Sequence, residues 1–129
     1  MSFLPDSVNK GSVGLADDYT VIKGTGVPGG ALIGFNLKGK QVFKFQIVKS
    51  KAFDIHIGAR YFGKDAKLKH KPKAGWSLHL KSGKKYELKT ALKYSKIKLT
   101  VGEIVTMTVD QKRGSLSFKV GDNDLGEAF

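Results

Sequence analysis

Apolar and polar residues alternate with a period of two along much of the chain, the period of a strand that buries one face. In VFKFQIV, Phe43, Phe45 and Ile47 fall on one side and Val42, Lys44, Gln46 and Val48 on the other. FDIHIGA sets Phe53, Ile55, Ile57 and Ala59 against Asp54, His56 and Gly58. Ile97, Leu99 and Val101 alternate with Lys96, Lys98 and Thr100; Val105, Met107 and Val109 share a side, as do Leu116 and Phe118. Runs rich in Gly, Asn, Asp or Lys separate these segments. Many short strands joined by turns predict an all-β fold, an antiparallel two-sheet β-sandwich. One segment has a second reading: KKYELKTALKYSKIKL spaces Leu88, Leu92, Ser95 and Leu99 in a helix-like way, but no N-cap opens it, and strands are preferred.

The chain has 129 residues, enough for one sizeable core. It lacks an apolar run of membrane-spanning length, and its start, MSFLPDSV, has neither a basic head nor an apolar stretch. Cysteine is absent, which removes disulfides and thiolate metal sites. A soluble cytoplasmic protein is expected, with nuclear or cytoskeletal association left open.

The last third carries a recognisable pattern. GEIVTMTVDQKRGSLSFKVGDNDLGEAF resembles the end of a SPRY domain, with Gly102, Asp110, Gly114, Leu116, Ser117, Phe118, Leu125, Gly126, Ala128 and Phe129 on the family's pattern. Upstream, GKQVFKFQIV, FDIHIGA and GWSLHLKSGKKY are similar to three further SPRY strands, with Phe43 where the family usually has Trp and Lys44 where it usually has Glu. The resemblance covers residues 14–129 and leaves 1–13 as an N-terminal extension. It implies a SPRY-like jelly roll that acts as a non-catalytic protein-binding module, recognising a peptide or protein surface through its loops.

Charge sharpens that expectation. The net charge of +12 is confined to the middle of the chain: residues 38–98 hold 18 basic side chains against three acidic ones, while both flanks are slightly negative. Such a concentration attracts an acidic partner. The expected contact residues are Arg60 and Tyr61, whose types are favoured in binding hot spots, followed by Lys64, Lys67, Lys69, Lys71 and Lys73 in the basic loop. An alternative is a structural component of a large assembly, held by lysines against RNA or acidic protein tails. Only Arg60 and Arg113 are arginines, so sequence-specific nucleic-acid reading is not expected.

Candidate chemistry is sparse. Gly24, Gly26 and Gly29 spell G-x-G-x-x-G, but a strand-like ALIGFNL follows where a dinucleotide site needs a helix. His56, His70 and His79 lack carboxylate partners at ligand spacing, and Asp54, Asp65 and Glu87 are scattered, so no enzyme activity, metal or cofactor is expected. Asp110 reads as a turn former at a strand end. His56 and Arg60 in HIGAR are similar to the H-x-N-x-R strand of galectins, with Gly58 in the Asn place and Ser77 after Trp76 where galectins have Gly; a lectin is the third reading. Trp76 is read as core.

Overall fold

The computed structural model of the chain describes residues 13–16, 21–24, 39–48, 55–61, 74–97 and 99–129; at 13–16, 21–24, 60, 61 and 74 it describes the backbone alone. The chain divides into two compact units, Met1–Asn36 with Arg60–Lys73, and Leu37–Ala59 with Ala74–Phe129. In the first, β1 (Val13–Ala16) and β2 (Val21–Gly24) form an antiparallel pair with Val13 opposite Gly24 and Ala16 opposite Val21.

The second unit holds two antiparallel sheets. One has β3 (Lys40–Gln46), β8 (Ile104–Asp110), β9 (Ser115–Val120) and β10 (Asn123–Glu127) in the order β10-β9-β8-β3. The other has the order β4-β5-β6-β7, from β4 (His56–Tyr61), β5 (Ala74–His79), β6 (Lys85–Glu87) and β7 (Thr90–Leu92); Arg60 and Tyr61 at the end of β4 belong to the first unit. No helix occurs among the described residues. This is the all-β, two-sheet antiparallel fold that the alternation predicts.

The period-two pattern becomes burial. Phe43 and Ile47 are buried and Phe45 half-buried, while Val42, Lys44, Gln46 and Val48 are exposed. On β8 and β9 the buried residues are Val105, Met107, Val109, Leu116, Phe118 and Val120. They form one core cluster with Ile57, Leu78 and Leu80 from the other sheet, and Trp76 packs against that cluster. Apolar side chains on the inward face of each sheet thus leave water together, which is the main favourable term in such a fold.

One expectation holds and one needs correction. As the preference for strands has it, the described residues of KKYELKTALKYSKIKL form no helix; β6 and β7 make a tight hairpin with Glu87 paired to Thr90. Leu88 at its turn has φ 53°, a left-handed conformation, and its N–H donates to the Gly75 carbonyl at 2.8 Å. The sheet pairing and this bond replace the ladder a helix would need. The alternation of Ile97, Leu99 and Val101 is likewise not a strand. Ile97 and Leu99 are half-buried in an irregular segment, and Val101 lies exposed in the turn before β8. Phe53, Asp54 and Lys98 lie outside the described residues.

The turns use the chemistry their residues offer. Asp110 ends β8 and its carboxylate accepts the Arg113 N–H at 3.2 Å, the turn-forming role expected of it. A bulge interrupts the pairing of β9 with β10 between Asp124 and Gly126, where the Asp124 carboxylate accepts the Gly126 N–H at 2.9 Å.

β10 ends one sheet, and side chains from beyond that sheet reach its backbone. The Tyr94 hydroxyl donates to the Gly126 carbonyl at 2.6 Å, and Lys85 Nζ, from β6, donates to the Ala128 carbonyl at 2.6 Å. Burial pushes the Tyr94 phenol from 10.0 up to about 12, partly offset by a backbone hydrogen bond at Phe118 and reinforced by the Asp124 carboxylate. Above pH 10 the unfolded chain releases this proton while the folded chain keeps it. The phenol's contribution is therefore complete below pH 10 and lost as the pH rises towards 12. We predict that Tyr94→Phe costs about 1 kcal/mol near neutral pH. Denaturation at rising pH checks the sign: the gap between wild type and variant should shrink above pH 10, and a constant gap would contradict it.

Candidate functional site

The strand pairing of the β4–β7 sheet determines which side chains share its outer face. A bond from the Leu80 N–H to the Ile55 carbonyl, at 2.9 Å, sets β4 beside β5 so that His56 stands across from His79. The His79 N–H donates to the Lys84 carbonyl at 2.9 Å, which brings Lys84 alongside His79. One row across the outer face is therefore His56, His79 and Lys84. In the next row Ser77 pairs with Tyr86 and Tyr86 with Ala91. Ile57, Trp76, Leu78 and Lys85 alternate with these residues and face the core side.

Gly58 belongs to this second row, and only glycine fits there. A Cβ at Gly58 would lie 2.0 Å from the Trp76 carbonyl oxygen and 2.7 Å from the Ser77 Cβ. β4 and β5 come close at this point, and the face between His56 and the end of β4 carries no side chain at Gly58.

The imidazoles are built into a cluster. The rings of His56 and His79 stack with centroids 4.5 Å apart at 23°, and Tyr86 stands nearly perpendicular to both, at 4.9 Å and 5.9 Å. His56 Nδ1 is within hydrogen-bonding distance of Ser77 Oγ at 3.2 Å, and His79 Nδ1 of Ser82 Oγ at 2.7 Å. Ser82 Oγ also accepts the Lys84 N–H at 3.2 Å, which fixes the β5–β6 hairpin around the hydroxyl. His56 and Lys84 are exposed, while Ser77, His79 and Tyr86 are half-buried.

Among the described residues this outer face has no carboxylate; Glu87 pairs with Trp76 and Thr90 on the opposite alternation. Charge also divides along the second unit. Residues 74–97 carry six lysines and one glutamate, whereas residues 99–129 carry three basic and five acidic side chains. Residues 37–59 of the same unit add five lysines against one aspartate, with Lys40 and Lys44 on β3, and of the lysines in 74–97 only Lys85 lies in a strand, so the basic excess runs through the unit up to residue 98 and the segment after it is the acidic part.

The expected contact residues have a partial placement. Arg60 and Tyr61 are the last two residues of β4, and Lys64, Lys67, Lys69, Lys71 and Lys73 lie outside the described residues, as do Gly26, Gly29, Asp65 and His70. His56 and His79, read from sequence as residues of separate strands, are brought into contact. Trp76 packs against the core and so does not share the outer face with His56, which separates the two groups a galectin-like site would combine. No three His, Asp or Glu side chains among the described residues are grouped to hold a metal ion. No helix among them is long and apolar enough to cross a membrane.

A shallow hollow of about 380 Å³ lies at the other sheet, lined by Lys96, Ile97, Glu103, Val120, Asp122 and Leu125 among others. Its charges are of both signs, so it favours no one class of ligand. No protein-family model matches the chain, and no curated protein matches it.

Proposed function

We propose that the chain is a SPRY-type, non-catalytic binding module that recognises an acidic protein or peptide through its lysine-rich central stretch. The observation that carries this reading is the division of charge along the sequence: residues 38–98 hold 18 basic side chains against three acidic ones, while residues 99–129 hold a small negative excess. Long-range attraction between such a surface and an acidic partner raises the rate of productive encounter. The family assignment is supported by the sequence pattern of residues 102–129. The pattern's Asp110 closes β8, its Leu116-Ser117-Phe118 run lies within β9, and its Leu125 and Gly126 lie in β10. The proposed setting is intracellular, in keeping with a chain that has no cysteine.

The lysine-rich residues 64–73, which follow β4 in the sequence, are assigned the steering role. Reversing Lys67, Lys69, Lys71 and Lys73 to Glu should slow association with a Glu-rich peptide by about tenfold or more at low salt, with a smaller effect on dissociation. The circular dichroism spectrum should not change. Stopped-flow association kinetics provide the measurement, and an unaltered on-rate would remove the loop from the site.

A further inference from the structure

The sheet of β3, β8, β9 and β10 has two edges, and they differ. Along β10 and just past it, the Gly126 and Ala128 carbonyls accept the Tyr94 hydroxyl and Lys85 Nζ, so side chains from beyond the sheet already hold that backbone. β3 closes the other end of the strand order, and no described residue pairs with its far side. The register shows which groups this leaves open. The Gln111 N–H donates to the Gly39 carbonyl at 3.0 Å and the Ile47 N–H to the Glu103 carbonyl at 3.1 Å, so in this antiparallel ladder Gln41, Phe43 and Phe45 are the residues that exchange bonds with β8. Lys40, Val42, Lys44 and Gln46 turn their N–H and carbonyl groups the other way. All four are exposed.

We propose that the free edge of β3 takes up an extended acidic segment of the partner as a fifth strand, with a carboxylate set against Lys44. The proposal rests on the acidic-partner reading above and adds to it a place and a mode of binding. Backbone pairing supplies the bonds, and the outward side chains supply the choice of partner. In its row across the outer face Lys44 stands opposite Thr106 and Thr106 opposite Lys119, and among the described residues no acid stands in that row nearer than Asp124 on β10. Lys40 differs, because Asp110 stands opposite it. Between the two lysines Val42 is 54% exposed, and Val48, Val101 and Ile104, on β8 or in the segments adjoining the two strands, are exposed as well. An incoming strand whose outward side chains alternate acid and aliphatic residue answers both features, the acid opposite Lys44 and the aliphatic one opposite Val42. β3 itself contains no acid, so a second copy would bring two more lysines to the seam. Lysines on an edge guard against such a pairing and admit an acidic one.

The test uses the full chain and the capped peptide Glu-Thr-Val-Thr-Glu-Thr-Val-Thr at low salt. Amide hydrogen exchange, followed by NMR, should slow at least about tenfold at Lys40, Val42, Lys44 and Gln46 on saturation, with little change at Gln41, Phe43 and Phe45, which already bond to β8. Docking of side chains alone would not produce that alternation. The peptide's Glu and Val residues, paired as stated, turn their N–H groups towards β3, and its Thr residues turn theirs away. N-methylation of the Glu and Val residues should therefore weaken binding about tenfold or more, while N-methylation of the Thr residues should be tolerated. Lys44→Glu should weaken binding more than Lys40→Glu. Val42→Pro should weaken it and keep the β8 ladder, since the Val42 N–H makes no bond to β8.

Thermal melts separate a lost fold from a lost site; should Val42→Pro not fold, the two methylated peptides still decide. Peptide binding that leaves the four amides unchanged and ignores which residues are methylated overturns this inference and leaves the acidic-partner reading standing. Failure of this peptide to bind, with a Glu-rich decapeptide still bound, does the same. Failure of both peptides, or equally tight binding with Lys in place of every Glu, overturns the acidic-partner reading as well. Protection of the same four amides in the protein alone, growing with its concentration, would assign the edge to a second copy and overturn the acidic strand.

Discussion

Phe118→Ala is expected to destabilise the protein by about 3–5 kcal/mol, the cost of deleting a buried aromatic ring and leaving its cavity. Phe118 is 1% exposed in the middle of β9, stands opposite Met107 on β8, and has the Tyr94 ring 6.5 Å away in an edge arrangement. Its neighbours belong to a strand ladder on both sides, so they have little freedom to close over the space. Phe45→Ala is the informative comparison. The alternation alone gives Phe45 the same weight, but the structure leaves it half-buried, and its loss should be smaller. Lys119→Ala, one residue from Phe118 on the opposite face, should stay within about 0.5 kcal/mol. Chemical denaturation of the three variants checks the order, and a loss below about 1 kcal/mol for Phe118→Ala would contradict the core assignment.

Gly83→Ala is the second substitution expected to have a large effect, for a different reason. Gly83 has φ +71°, and a Cβ there would lie 1.9 Å from the Ser95 carbonyl oxygen and 3.0 Å from its carbon. Both backbone groups of Gly83 are in use: its N–H donates to the His79 carbonyl at 2.9 Å and its carbonyl accepts the Ser95 N–H at 3.1 Å. A methyl group therefore cannot be accommodated by turning a side chain aside; the segment at Ser95 has to move, and with it that hydrogen bond. Left-handed strain of about 1–2 kcal/mol adds to an overpacking cost of about 1–3 kcal/mol. Gly114→Ala separates the two terms, since Gly114 has φ +63° with nothing within 4 Å of the added carbon. It should show the strain alone. Equal losses at Gly83 and Gly114 would show that the close approach to Ser95 is not a constraint.

Much of the fold can be read in the sequence because a strand's alternation is a local property. Phe43 and Ile47, Val105 to Val109, and Leu116 and Phe118 declare their faces without reference to any partner. The failures come where local signal and tertiary demand part. Ile97, Leu99 and Val101 alternate as a strand would, yet Leu99 is half-buried without entering a sheet and Val101 is exposed. Leu88 and Leu92 also have helix-like spacing, but there the missing N-cap points the right way: a two-residue turn joins β6 to β7, and β6 pairs with β5.

The cluster on the outer face shows a different limit. His56 and His79 meet because of the register between β4 and β5, and residues 62–73 separate those strands in sequence. A short hairpin fixes register through its turn, whereas a connection of that length leaves every register open. The position of His56 on the polar side of its strand is legible in the sequence; the face of His79 and the contact between the two are not. Charge was legible at once, being a matter of counting, and so was the turn role of Asp110.

The central claim is that the excess of lysine in the middle of the chain leads an acidic partner to it. The salt dependence of association with a Glu-rich decapeptide tests it most directly, because exposed charges lose their reach as the screening length shrinks from about 14 Å at 50 mM to about 6 Å at 300 mM salt. The account predicts an on-rate that falls at least tenfold across that range for wild type and hardly changes for the variant with Lys67, Lys69, Lys71 and Lys73 reversed to Glu. An on-rate for wild type that stays constant with salt would contradict it.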